Sequence, residues 1–271
     1  MLSELGQKNS NAVLIIPVLN EGERILNQLS EINQIRMRDF DVVIVDGGST
    51  DESIKSMLTS HSKLLRTILV VPDSKGLSHQ LRVAFEYCLR ENYEHFVTMD
   101  GNNKDGVNGI ELIIEKLKNG FDYIQGNRFL SAHGSQNTPL HRTLAIKFIH
   151  DPVVSFAARK KFTDTTNGFR GFSRSLLENI ELEIFRNIFV RYELITYIPI
   201  RVGQLKLKSC DVPVIRSYPR NAKIPTKISG IRNHFNLLNT LLLSAIGYYN
   251  PASTKSKLSQ NFYSFITNLN R

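Results

Sequence analysis

Five short apolar runs, each closed by Pro, Asp or Gly and each separated from the next by an amphipathic stretch, constrain this chain most. Ala12–Ile16 (AVLII), Asp41–Val45 (DVVIV), Thr67–Val71 (TILVV) and His95–Met99 (HFVTM) read as buried strands, with Asp122–Gln125 as a fifth. Between them, Glu21–Gln34, Asp51–Ser60, Leu77–Glu91 and Gly109–Asn119 carry helical periodicity; Leu81, Phe85, Cys88 and Leu89 form the apolar stripe of the third. This alternation predicts an α/β fold, a Rossmann-like three-layer αβα arrangement around a mostly parallel sheet with right-handed crossovers. With 271 residues there is material for one substantial core and a C-terminal helical extension, short of two full domains. We place the main domain at 1–215, and a basic loop and helical extension at 216–271.

Ligands of such sheets bind beyond the carboxyl ends of the strands, near a topological switch point. The residues after each strand are therefore informative. Pro17-Val-Leu-Asn20-Glu21 follows the first, Asp46-Gly47-Gly48-Ser-Thr-Asp51 the second, and Asp100-Gly-Asn102-Asn103-Lys104-Asp105 the fourth. One such turn is a helix cap, a role that Ser49, Thr50 and Asp51 suit; three carboxylate-bearing turns on one edge suggest a polar ligand. Glu21 and Asp46 are acceptors suited to a base and ribose, and Gly47 and Gly48 would let a ligand approach the backbone. Ordinary capped turns account for the same spacing of the first two. Asp100 and Asn102 point two oxygen ligands at one spot, suited to Mg²⁺ or Mn²⁺ on a diphosphate. Because Asn102 is neutral, Lys104 is an alternative source of part of the positive charge.

Together these segments resemble the family-2 glycosyltransferases of GT-A fold, in particular the dolichyl- and polyprenyl-phosphate sugar transferases. LIIPVLNEGERI (14–25), VVIVDGGSTDES (42–53), MDGNNKD (99–105), YIQGNRF (123–129), DTTNGFRGFSR (164–174) and DVPVIRSYPRNAKIPTKISG (211–230) follow the family's order over residues 12–230. The resemblance implies a donor site of Pro17, Asn20, Glu21, Asp46, Gly47, Gly48 and Lys104. It implies catalytic roles for Asp100, Asp164, Arg128 and Arg142, phosphate or acceptor contacts from Arg170, Arg220 and Lys227, and a metal on Asp100 and Asn102. Asn102 stands where the family has a second aspartate. The implied activity is inverting transfer from a nucleotide sugar to a polyprenyl-phosphate or other lipid-linked acceptor in cell-surface glycan synthesis. A saccharide hydroxyl as acceptor, with Asp164 as base, and a nucleotide-sugar binder with little turnover are the alternatives.

A phosphate acceptor needs no general base, whereas a hydroxyl does. Arg142, Arg170, Arg216, Arg220, Lys223 and Lys227 offer a cradle for such an anion, in keeping with a net charge of +9. That charge also suits nucleic acid, but the chain lacks a basic helix or aromatic-basic sheet motif, so no nucleic-acid partner is expected. Residues 228–249 form an expected helix with Ile228, Ile231, Phe235, Leu238, Leu242 and Ile246 on one side. Such a stripe packs on the core, pairs subunits in a homo-oligomer, or lies in a membrane interface. No stretch reaches the ~18 apolar residues of a membrane span, and residues 1–10 lack a signal-like apolar run. The expected location is the cytoplasm, at the inner face of the membrane for a lipid acceptor. Cys88 and Cys210 read as small core residues, and His133, His141 and His150 as surface or loop residues.

Overall fold

The computed structural model describes residues 2–36, 38–219 and 231–252. In chain order its elements are β1 (Leu2–Glu4), β2 (Ala12–Val18), α1 (Glu23–Asn33), β3 (Asp41–Asp46), α2 (Ser53–His61), β4 (Thr67–Val70), α3 (Leu77–Arg90), β5 (His95–Thr98), α4 (Gly109–Lys118), β6 (Tyr123–Asn127) and β7 (Ser135–Gln136). Then come α5 (Leu140–Ala145), a π turn (Ile146–His150), α6 (Asp151–Ala158), β8 (Arg170–Ser173), α7 (Arg174–Leu177), α8 (Glu193–Gln204), β9 (Ser209–Pro213), β10 (Arg216–Ser217) and α9 (Ile231–Ala245). All five expected strands and all four expected helices are present, with no end shifted by more than two residues.

The strands order as β1-β4-β3-β2-β5-β8-β6-β9, and β7 pairs with β10 in a separate ribbon. Strands β4, β3, β2 and β5 run parallel, as do β6 and β9. Strand β8 lies antiparallel between β5 and β6, and β1 antiparallel on the β4 edge. Neither was expected: β1 is only three residues long, and β8 (RGFS) lacks the β-branched run that marks the others.

The chain leaves β2 toward β3 and β4, then returns to β5 on the other side. The carboxyl ends of β2 and β5 are therefore the switch point, where a crevice opens. Strand β2 reads as continuously apolar because both of its faces are covered. Val13 and Ile15 pack with Leu81, Phe85 and Cys88 of α3, together with residues of α6, α8 and α9. Leu14 and Ile16 pack on the opposite side with Ile25 and Leu29 of α1 and Ile113 of α4. Cys88 is buried as expected, and Cys210 is partly so.

Residues just past position 215 stay close to the main body. Arg216 reaches Asp100, and Leu241, Leu243 and Tyr249 join the core that holds α3 and α8. Of the apolar stripe expected on 228–249, Phe235, Leu238 and Leu242 turn outward, Phe235 at 67% exposure, whereas Ile246 packs against the core together with Leu241 and Leu243. Residues 228–230 lie outside the described residues. Among the described residues no helix is long and apolar enough to cross a membrane.

Candidate active site

The turns after β2, β3 and β5 do meet, but most of their polar atoms hold one another. Asp46, 1% exposed, accepts from the backbone N–H groups of Gly48 and Ser49 and from the Ser49 hydroxyl. The Asn20 amide oxygen accepts from Thr50 N at 2.7 Å and Asp51 N at 3.2 Å. Glu21 pairs with Arg24 at 2.8 Å. Asp46 and Asn20 thus spend side-chain oxygens on building the turn.

The glycines have a similar explanation. A Cβ on Gly47 would lie 2.6 Å from the Gln80 amide nitrogen, and one on Gly48 2.9 Å from Pro72 O. Gln80, which the sequence reading missed, donates to Val18 O and Val45 O and so clamps the ends of β2 and β3. At Gly48, with φ 91°, backbone packing requires glycine; at Gly47 it is the end of the Gln80 side chain that would have to give. A buried glutamine inside an apolar helix stripe was the available signal, because such an amide needs partners.

Beyond β5, Asp100 faces the crevice with its side chain 26% exposed. Its Oδ2 accepts from Arg216 Nη2 at 2.9 Å and, weakly, from Asn102 Nδ2 at 3.5 Å. Arg216 also bonds Asp105, which is buried, and Asn167 Oδ1 at 3.0 Å. It therefore belongs to the Asp100 cluster, not to the acceptor cradle expected of it. Burial pushes the Asp100 carboxyl up, but Arg216 and Lys104 outweigh that and hold it below the usual carboxylate range. Burial, with Arg216 next to it, pushes the Lys104 ammonium down. A Cβ on Gly168 would meet Asp100 Oδ1 at 2.6 Å, so this position must be glycine while Asp100 holds its place.

Tyr218 joins the cationic groups into one surface. Lys104 Nζ lies 5.3 Å and the Arg142 guanidinium 5.7 Å from its ring centre, and Arg128 Nη1 is 3.4 Å from its hydroxyl. Burial pushes the phenol up, yet Arg216 and Arg128 pull it down to about 8. The sequence offered Tyr218 only as part of a basic loop, and its role depends on the β7–β10 ribbon.

Asp164 and Arg128 hold one another. Asp164 is fully buried and adopts a left-handed backbone conformation, φ 55°. Arg128 Nε and backbone N donate to its Oδ2 at 2.9 and 2.8 Å, and Nη2 reaches Oδ1 at 2.8 Å. Burial raises the carboxyl while Arg128 opposes the shift. A carboxylate so enclosed has no path to a sugar hydroxyl. Arg170 is likewise internal: its nitrogens donate to Asn167 O, Ile195 O and Thr165 O at 2.5–2.8 Å, so it braces the approach to β8. His150 is partly buried. Its Nδ1 lies 2.7 Å from the Thr165 hydroxyl, and burial pushes its imidazole down to about 4. Pro17 lines a small cavity with Asp100, Gly168 and Arg170. Arg220 and Lys227 lie outside the described residues.

Among the described residues no three His, Cys, Asp or Glu side chains converge on a metal position. The available oxygens are those of Asp100 and the Asn102 Oδ1, which is buried without a hydrogen-bond partner.

The model of the family described as Glycosyl transferase family 2 matches residues 13–181. The dolichol-phosphate mannosyltransferase of Pyrococcus furiosus is 26% identical over 199 residues, 70% of this chain and 56% of its own length. A prophage bactoprenol glucosyl transferase homolog of Escherichia coli is 27% identical over 190 residues, 66% of this chain and 57% of its own. The polyprenol monophosphomannose synthase of Mycolicibacterium smegmatis is 25% identical over 174 residues, 63% of this chain and 64% of its own. The chain thus spans less than two thirds of the length of these relatives. Among solved structures, glucosyl-3-phosphoglycerate synthase from Mycobacterium tuberculosis, in complex with Mn²⁺, UDP and glucosyl-3-phosphoglycerate, superposes with a TM-score of 0.62 at 13% identity. That match covers 87% of this chain and 78% of the other, a likeness of fold, here GT-A. The family match takes in the turns after β2, β3 and β5 and continues through β8, well over half of the chain, which therefore belongs to glycosyl transferase family 2.

Proposed function

We propose that this chain transfers a sugar from a nucleotide-sugar donor to a polyprenyl-phosphate or similar lipid-linked phosphate, with inversion at the anomeric carbon. The observation that carries this reading is the sealed Asp164. The carboxylate that would serve as base toward a hydroxyl is locked to Arg128, and a phosphate acceptor needs none. The names of the three relatives, all transferases or synthases of polyprenol or dolichol phosphate chemistry, support the same acceptor class.

In the reaction an oxygen of the acceptor phosphate attacks the anomeric carbon as the bond to the donor's diphosphate oxygen breaks. The electron pair leaves with the nucleoside diphosphate. The chain's task is to place positive charge where the leaving group gains negative charge. Lys104 and Arg216 lie beside Asp100 at that edge. Two unit charges about 4 Å apart interact by roughly 4 kcal/mol at an effective dielectric of ~20, so such neighbours matter. The orphaned Asn102 Oδ1 beside Asp100 fits a hard cation. Asp100 and Asn102 would hold Mg²⁺ or Mn²⁺, which when bound adds charge on the diphosphate. Arg142, above Tyr218, is placed to orient the acceptor phosphate, a role that Arg220 and Lys227 would share.

The test is nucleoside diphosphate release from GDP- and UDP-sugars, with and without undecaprenyl phosphate, in EDTA and in Mg²⁺ or Mn²⁺. Release that depends on the lipid phosphate supports the reading. Equal release with a saccharide acceptor alone would contradict it, and saturable donor binding without release would mark a binder.

A further inference from the structure

Eight of the 15 large hydrophobic side chains exposed among the described residues sit on two helical stretches, residues 140–158 and α9. The two stretches pack on one another through α6 and α9. Along the first, Leu140, Leu144, Phe148 and Phe156 are 73, 45, 73 and 90% exposed, and exposed Pro152 completes a spacing of four. An α-helix with 3.6 residues per turn lets a spacing of four drift by about 40° at each step. The π turn at Ile146–His150, with its i→i+5 bonding, winds more slowly and offsets part of that drift. The apolar line therefore stays outward where a solvated helix would carry polar residues.

The charges around this line have one sign. Between Phe129 and Lys161 the single acidic residue is Asp151. It is 7% exposed and accepts from Asp164 N at 3.0 Å and Thr165 N at 3.1 Å, so it is spent inside the fold. The exposed charges of the stretch, Lys147, Arg159, Lys160 and Lys161, are all cationic. An apolar line flanked only by cations is complementary to an anionic lipid surface, which takes the side chains into its acyl boundary and the cations at its headgroups.

We propose that the outer face of residues 140–158, together with the exposed side of α9, seats this chain on an anionic bilayer. The inference rests on the lipid-linked acceptor for its purpose and goes beyond it in naming the surface. Helix α5 joins the two, because it carries Leu140 and Leu144 outward and Arg142 toward Tyr218. A chain seated this way holds its phosphate-facing arginine at headgroup level, where a lipid phosphate is found.

The experiment is flotation of the full chain with vesicles of phosphatidylcholine alone or mixed with phosphatidylglycerol, at low and high salt. The parent floats with the anionic vesicles, and salt weakens it. Phe148→Ser and Phe156→Ser each lower vesicle partitioning about tenfold. Arg159→Glu with Lys161→Glu removes the preference for phosphatidylglycerol. All are exposed positions, so the circular dichroism spectrum and the unfolding midpoint stay near the parent's. Turnover with a short, water-soluble prenyl phosphate stays at parental level in every variant, which separates docking from the transfer reaction. Parental flotation of the Phe148→Ser/Phe156→Ser double variant, or no flotation of the parent, overturns the proposal. So does a parent that ignores vesicles and self-associates, becoming monomeric on the same substitutions, since that would make the face a contact between copies.

Discussion

The Asp100–Arg216 and Asp164–Arg128 pairs use the same chemistry and differ in what is left over. In the first, the aspartate keeps a quarter of its side chain exposed and the arginine is shared with Asp105 and Asn167. In the second, the side chains are 2 and 0% exposed, and Arg128 grips both carboxylate oxygens. An ion pair shut away from solvent is a strut. One that leaves part of its carboxylate exposed to a crevice can act on a ligand. A motif alone does not separate the two cases, because both aspartates sit in segments that resemble family signatures.

The comparison can be broken by substitution. The largest effect expected is from Asp100→Ala: transfer falls by about 10²–10³ or more, with the unfolding midpoint little changed because Arg216 keeps Asp105. Near-parental release in a labelled-donor assay would show that the first pair is also a strut. For the second pair the loss should fall on stability. Arg128→Ala leaves a buried carboxylate unpaired and is expected to cost about 3–5 kcal/mol in urea unfolding. Its residual activity should follow the folded fraction; a stable variant with lost turnover would return Asp164 and Arg128 to the catalytic machinery.

Smaller effects sharpen the account. Arg142→Ala should raise KM for the lipid phosphate about tenfold and leave donor affinity unchanged, as measured by donor titration, in line with one lost charge-assisted contact. Equal loss on both would contradict its placement. The smallest effect concerns Tyr218, whose phenol is held at about 8. As pH rises through that value a phenolate forms beside Arg216 and Arg128 and cancels charge meant for the diphosphate. Activity should therefore decline on the alkaline side, and Tyr218→Phe should remove that limb from the pH profile. Stability runs the other way. The folded-state pKa lies below the ordinary ~10, so its contribution is fully present above about 10 and is lost as pH falls through about 8.

Much of the sheet was legible because the central strands β2 and β3 are buried on both faces, which forces an unbroken apolar run such as AVLII. Strand β8 was not, because its neighbours supply the pairing and its residues, Arg170 among them, are chosen for the site beside it. The site itself was half legible. Position along the strands located Asp100, Lys104 and Asn102. Asp46 closes its own turn through Ser49, three residues on, whereas Asn20 meets Thr50 of the neighbouring turn, a contact that no spacing rule encodes. Gln80 and Tyr218 act through residues far away in sequence, Val18 and Val45 for the first, Lys104 and Arg128 for the second. The outward stripe at 140–158 went unread, because the packing of α6 on α8 and α9 decides which side is left bare.

The most direct measurement of the central claim is release of nucleoside diphosphate from a labelled nucleotide sugar, with undecaprenyl phosphate present or absent. The account predicts release that requires the lipid phosphate, falls away in Asp100→Ala, and yields a sugar–phospholipid of inverted anomeric configuration. Lipid-independent transfer to a saccharide hydroxyl, undiminished in Asp100→Ala, would contradict it.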